Sequence, residues 1–148
     1  MSEENVEIVR RVTEIAEKSI PPWGEPGAGI DECVAQGLIA SNLEWRGGTR
    51  GGVGAAGLGD VAGREGFVQF TRTWIDEFDD FETTYERIID APDDRVLVLT
   101  HMSGTGKESR APVELRSAQL YKLEAGCVVR VTLFLDPEAA FKAVGLSE

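Results

Sequence analysis

Histidine is almost absent from this chain, with His101 the only one in 148 residues. Metal centres built from several histidines are therefore excluded, and a hydrolytic triad has no base to draw on except His101. Cysteine is scarce too. Cys33 and Cys127 lie far apart with no near neighbour of their kind, which removes paired-cysteine metal motifs. They read as two buried free thiols in a reducing compartment, with a disulfide as the alternative. Positive charge is outnumbered, 15 Lys and Arg against 26 Asp and Glu, for a net charge of -11. That surface repels phosphate backbones and anionic lipid, so neither nucleic acid nor a membrane is an expected partner. No apolar run approaches the roughly 20 residues that span a bilayer. The opening Met1-Ser2-Glu3-Glu4-Asn5 is acidic where a secretory leader is basic and then apolar, so a cytoplasmic location is expected.

What the chain does have is enough length for one domain, 1–148, with one good core. The hydrophobic set is 42% and the charged set 28%, ordinary for a globular protein. The last fifty-odd residues carry the strongest pattern. Three strand-like runs, Arg95–Ser103, Val113–Leu123 and Val128–Leu135, are joined by hairpin-type breaks, which predicts an antiparallel meander. Phe81 to Asp90 reads as a further strand, closed by the turn Ala91-Pro92-Asp93-Asp94. Asp136-Pro137-Glu138 supplies cap, proline and first-turn acid for a helix over 136–144, and Gly145 fits its stop.

Ahead of the meander, Val6, Val9, Val12 and Ala16 form a helical stripe with Ile8 and Ile15 alongside, and Glu3 and Glu4 suit its first turn. Pro21-Pro22 should end that helix, and 23–29 reads as a loop. Asp31 is expected to cap a second helix carrying Val34, Leu38 and Ile39 inward. Leu43-Glu44-Trp45 is a short strand candidate. A third helix begins near Arg64, with Phe67, Phe70, Trp74 and Phe78 at three- and four-residue steps along one inward stripe. Between them, 46–63 is an atypical glycine-rich loop, read either as a mobile surface segment or as a lid.

The runs at 95–100 and 128–135 are apolar on both pleat faces, so both faces need a cover. The few helices are expected to cover one, and a second copy of the chain the other. This predicts a homodimer packed through the outer sheet face.

Several motifs fail on context. Gly104-Thr-Gly-Lys-Glu-Ser109 lacks the leading glycine and the strand-to-helix setting of a phosphate loop. No serine occupies a nucleophile elbow. The acidic run Asp76, Glu77, Asp79, Asp80 and Glu82 reads as a solvated face, not as converging metal ligands.

The order helix, helix, short strand, helix and meander resembles the SnoaL-like branch of the nuclear transport factor 2-like superfamily. Three pieces carry the resemblance: Glu4–Arg11; Leu43-Glu44-Trp45 with Gly63-Arg64-Glu65-Gly66-Phe67; and Tyr121–Gly126 with Val128-Val129-Arg130 and 135–146. It implies an α+β fold, a cone-shaped barrel of a curved antiparallel sheet wrapped around N-terminal helices, with a cavity between. It also implies dimerisation through the outer sheet face. Members include ketosteroid isomerases, polyketide cyclases, dehydratases, epoxide hydrolases and non-enzymatic binding proteins, so fold leaves function open.

Carried over position by position, the isomerase pattern is not matched. Its helix-one tyrosine falls at Thr13, its general base near Trp45, and its penultimate-strand acid at Gln119. No catalytic residue, metal or cofactor is therefore assigned.

The same register points Val96, Val98, Thr100, Met102, Leu115, Ser117, Gln119, Tyr121, Val131, Leu133 and Leu135 into the pocket. The expected ligand residues are Trp45, Phe70, Trp74, Val98, Met102, Gln119, Tyr121 and Leu133, and the expected ligand is a small hydrophobic molecule. His101, Arg116, Leu120 and Phe134 would face the partner copy. The alternative is a cyclase-, isomerase- or hydratase-type enzyme whose base is Glu44 or Asp136 at the pocket edge, or His101. A third reading is an interaction module that docks a protein through the acidic surface or the 46–63 loop.

Overall fold

The computed structural model describes residues 2–17, 26–46, 61–63, 65, 68, 78–134 and 136–146. The N-terminal helix α1, Ser2–Glu17, carries Glu3 and Glu4 in its first turn, where the helix dipole favours negative charge. Its stripe Val9, Val12 and Ile15 is buried, as the three- and four-residue spacing requires.

Helix α2 runs from Pro26 to Ala35. It therefore starts five residues before the expected cap at Asp31, which instead lies inside it. Proline fits the first turn, where its missing N–H costs nothing, and the neighbouring glycines mask the start from a propensity reading. Its end is a Schellman closure: Gly37 at φ +74, with Leu38 N–H donating to the Cys33 carbonyl (2.9 Å) and Gly37 N–H to the Val34 carbonyl (3.0 Å). Leu38, in the bend after the helix, and Ile39, at the start of the following strand, pack in the core, and Val34 is exposed.

The strands are β1 Ile39–Arg46, β2 Val61–Ala62, β3 Phe78–Ala91, β4 Arg95–Gly106, β5 Pro112–Glu124 and β6 Cys127–Phe134. They form one sheet in the order β2-β1-β6-β5-β4-β3. The meander β3 to β6 is antiparallel throughout. Its tight turns rest on positive φ at Asp93 (63°) and Asp94 (55°), and at Ala125 (51°) and Gly126 (76°). Two successive left-handed residues match the twist of the flanking strands. Lys122 Nζ donates to the Asp93 carbonyl (2.6 Å), and Asn5 Nδ2 to Asp94 Oδ1 (3.2 Å), tying the first turn to β5 and to α1. β1 joins β6 in parallel, pairing Trp45 with Val131, so the sheet is mixed where only the hairpin chain was foreseen. Glu65 and Val68 are helical, at the site of the expected third helix. Phe67, Phe70, Trp74 and the loop positions 47–60 lie outside the described residues, as does the stop at Pro21-Pro22.

Two clusters of apolar side chains flank the sheet. The inner one joins α1, α2 and β1 to Val96, Val98, Tyr121, Leu123, Val128, Val131 and Leu133, with Tyr85 and Ile88 alongside. The outer one joins Leu97, Ala118 and Phe134 to Ala140 and Phe141 of the C-terminal helix α3, Pro137–Ala143, and to its cap residue Val144. Asp136 caps α3 by accepting the Glu138 N–H at 3.1 Å. Helices thus lie on both faces of the sheet, and the expectation that they cover only one is corrected. The reason is the cap: Asp136 starts α3 directly after β6, and the helix buries Phe141 against Leu97, Ala118 and Phe134.

A candidate ligand site on the concave face

Period-two alternation along β4 and β5 holds without a bulge between them, so one set of side chains lines the concave face in rows. Met102 stands beside Leu115, Thr100 beside Ser117, Val98 beside Gln119, and Val96 beside Tyr121. β3 extends these rows with Tyr85 beside Thr100 and Ile88 beside Val98. β6 and β1 add Leu133 beside Gln119 and Val131 beside Tyr121, with Trp45 beside Val131 in turn. Of the eight expected ligand residues, Trp45, Val98, Met102, Gln119, Tyr121 and Leu133 therefore share this face, and Phe70 and Trp74 lie outside the described residues.

The polar groups on this face form two pairs. Thr100 Oγ1 and Ser117 Oγ are 2.5 Å apart, one hydroxyl donating to the other, and their residues are 1% and 0% exposed. Tyr121 donates its hydroxyl to Gln119 Oε1 at 2.7 Å. Tyr85 is a residue that the sequence reading missed. Phe81 to Asp90 looked like a strand of mixed polarity, and a bulge between Tyr85 and Arg87 breaks the alternation there. The stretch Phe81, Thr83, Tyr85 carried the usable signal, one step of two at a time.

Burial sets the protonation of this face. It pushes the Tyr85 phenol well up, with Glu17 and Cys33 adding repulsion. It pushes Tyr121 up too, with Tyr85 and Cys33 adding to it. The Cys33 thiol rises to about 11, through burial first and Glu32 second. All three stay protonated near neutral pH, so the tyrosines are donors and Cys33 is not a thiolate nucleophile.

The groups considered as bases stand elsewhere. Glu44 points to the outer side, accepting from Arg130 Nε at 3.0 Å and lying 3.4 Å from Arg46 Nη2. The Arg130 hydrogen bond holds its carboxyl below the usual range, the reverse of the burial-raised acid expected. Asp136 is exposed and serves as the α3 cap. His101 is on the outer face with Nε2 3.6 Å from Glu114 Oε1. Thr13, at the position of the isomerase tyrosine, spends its hydroxyl on the Arg10 carbonyl at 2.9 Å. Among the described residues no three His, Cys, Asp or Glu side chains converge as a metal site.

At the far end of the concave face, Phe78, Phe81, Met102, Ser103, Gly104, Val113 and Leu115 line a shallow, open hollow of about 20 Å³, room for about one water. Phe78 and Phe81 stack with ring centroids 6.1 Å apart. Gly104 is what lets Phe78 lie so close, since a Cβ there would sit 3.0 Å from Phe78 Cβ.

The sequence profile of the SnoaL-like domain matches residues 28–131. The chain belongs to the SnoaL-like family. No curated protein matches its sequence. Among solved structures it is similar to a candidate SnoaL-like polyketide cyclase from Jannaschia sp. CCS1, with TM-score 0.67, 18% identity and coverage of 100% of this chain and 96% of that one. It is also similar to a protein of unknown function with the nuclear transport factor 2-like fold from Burkholderia pseudomallei K96243, with TM-score 0.67, 19% identity, and 97% and 98% covered. TerC, co-crystallised with polyporic acid, gives TM-score 0.66 and 18% identity, with 95% and 97% covered. At these identities the likeness shows the α+β fold, a curled sheet around helices. The outer-face residues of this SnoaL-like chain divide. Phe134 is buried in the cluster that α3 completes and Leu120 packs against it, whereas Arg116 pairs with Glu86 at 3.2 Å and His101 faces Glu114.

Proposed function

We propose that this SnoaL-like protein binds a small, moderately hydrophobic organic molecule on the concave face of its sheet, without an acid–base centre at that face. One observation carries this reading: the described side chains there are apolar or protonated hydrogen-bonding groups, with Thr100, Ser117, Gln119, Tyr85 and Tyr121 set among Trp45, Val98, Met102 and Leu133. Such a lining orients a ligand through a few polar contacts and holds it by apolar burial. The polyporic acid found with the TerC relative supports a small organic ligand as the class. The enzymatic alternative has less support, because Glu44, Asp136 and His101 are each engaged away from this face.

A homodimer belongs to the same reading, with its contact on the part of the outer face that α3 leaves open, around His101 and Arg116. Sedimentation of wild type against Arg116→Glu tests it; a monomeric wild type overturns it.

For the binding reading, a panel of small aromatic ketones, quinones and alcohols is titrated while tryptophan emission is followed. Binding by some members, weakened at least tenfold by Val98→Trp, is the expected result. A panel that leaves the emission and the melting temperature unchanged refutes it.

A further inference from the structure

The outer face of the sheet carries a charge pattern that the ligand reading does not use. Arg95 of β4 stands opposite Lys122 of β5, and Lys122 opposite Arg130 of β6. Arg130 in turn stands opposite Glu44 of β1, and Arg46 follows on the same face of that strand. Three cations thus sit side by side across neighbouring strands, in a chain whose net charge is -11. Like charges directly opposite each other work against strand pairing, so the fold itself does not favour this row. With strands about 4.8 Å apart, the row is about 10 Å long.

The row is partly neutralised and held in place. Arg95 Nε donates to the Pro92 carbonyl at 2.9 Å, and its Nη2 lies 3.6 Å from Asp93 Oδ2. Lys122 Nζ donates to the Asp93 carbonyl. Glu44 serves both Arg130 and Arg46. Four cations therefore answer to two carboxylates, a local balance of +2. Lys122 and the guanidinium groups keep further N–H donors, and among the described residues no other partner takes them up. The side chains of Arg95 and Arg130 are 24% and 40% exposed. They are open enough to meet a partner and sheltered enough to be screened less than free surface charges. The turn carbonyls fix two of the heads in advance, which lowers the ordering cost of a contact.

Position and charge select the occupant. α3 packs on Leu97, Ala118 and Phe134 and leaves the row uncovered. His101 lies further along β4, about 20 Å from Arg95, so the row is clear of the copy-to-copy contact proposed above. A long polyanion would overrun so short a row onto acidic surface. A short acidic segment would not. At physiological ionic strength, screening over about 8 Å mutes the distant acids and leaves the direct contacts. An extended peptide repeats one side about every 7 Å, so two alternate carboxylates fit within the row.

We propose that the Arg95–Lys122–Arg130 row docks a short acidic peptide segment of a partner protein, with two alternate carboxylates of that segment on these cations. The inference does not depend on the concave-face reading.

A fluorescein-labelled octapeptide of alternating glutamate and serine, titrated by anisotropy at physiological ionic strength, tests it. The peptide is expected to bind, and a twin carrying lysine for glutamate is not. Lys122→Glu should weaken binding about tenfold or more, the order of one lost charge-assisted contact, and Lys122→Gln should weaken it in the same direction. Arg10→Glu, at an exposed arginine of α1 paired with Glu7, makes the same change in net charge as Lys122→Glu and should leave the affinity unchanged. Circular dichroism confirms that each variant is folded. The inference falls if wild type does not bind the peptide, if the lysine twin binds as well, or if Arg10→Glu weakens binding as much as Lys122→Glu. It also falls if succinate displaces the peptide at equal carboxylate concentration, since the row would then be a site for small anions.

Discussion

Replacing the serine of the buried hydroxyl pair measures what that pair does for stability. In the free protein, Ser117→Ala leaves Thr100 Oγ1 enclosed at 1% exposure with no partner among the described residues. Such an orphaned group costs about 1–3 kcal/mol. Thr100→Val orphans Ser117 in the same way and at a similar cost of about 1–3 kcal/mol. Making both changes removes donor and acceptor together and keeps the shape, so the double variant should lie within roughly 1 kcal/mol of wild type. The coupling between the two sites is then on the order of 2–6 kcal/mol. For 148 residues the unfolding entropy is about 0.3 kcal/mol per degree, so each single change should lower Tm by about 3–10 °C. Urea unfolding of the four proteins measures the cycle. Single variants as stable as wild type would refute the reasoning, because each hydroxyl would then have another partner. A double variant as stable as wild type would mean that the pair contributes almost nothing net to folding.

Other consequences follow from single residues. Ala125 holds φ +51 beside Gly126, so Ala125→Asn creates the Asn-Gly pair such turns favour and should stabilise by about 1 kcal/mol, about 3 °C in Tm; an unchanged or lower Tm in a thermal melt counts against it. Phe141 is 4% exposed under α3, and Phe141→Ala should cost about 3–5 kcal/mol and raise binding of a hydrophobic dye; a loss below about 1 kcal/mol in urea unfolding would show that α3 does not seal that face. Cys33, with its thiol raised to about 11, should resist iodoacetamide at pH 7.5 while the folded protein is intact, read by mass spectrometry; rapid alkylation there sinks the assignment. Its raised proton affinity contributes stability that is complete below the ordinary thiol value near 9.0 and is lost as pH rises towards 11. Cys33→Ala should therefore soften the alkaline fall in Tm, and an identical alkaline limb would contradict this.

The meander was legible because its signals are local. Alternation along 95–123 sets the two faces, and the Pro92-Asp93-Asp94 turn marks the joint without help from the rest of the chain. The same alternation put Thr100, Ser117, Gln119 and Tyr121 on one face, although it gave no hint that the first two would touch. The start of α2 was hidden because Gly27 and Gly29 are poor helix formers, and only packing of Ile30 and Cys33 in the core repays them. The parallel pairing of β1 and the seat of α3 depend on partners distant in sequence, and no window of a few residues reports those. Tyr85 was lost to a bulge, which shifts the period that the reading depends on.

The parallel edge also bears on the order of events as the chain folds. Glu44 and Arg130 meet across 86 residues, whereas the hairpin partners of β4 and β5 are neighbours through one turn. Closing the longer loop costs more entropy before any contact repays it. On a ribosome, β1 emerges early with only the two-residue β2 to pair with, and its other edge waits until β6 follows. We expect pulse-labelled amides of β4 and β5 to gain protection before those of β1. The late seam between β1 and β6 then decides when Trp45 reaches its place, so the concave surface is completed by the last long-range contact to form.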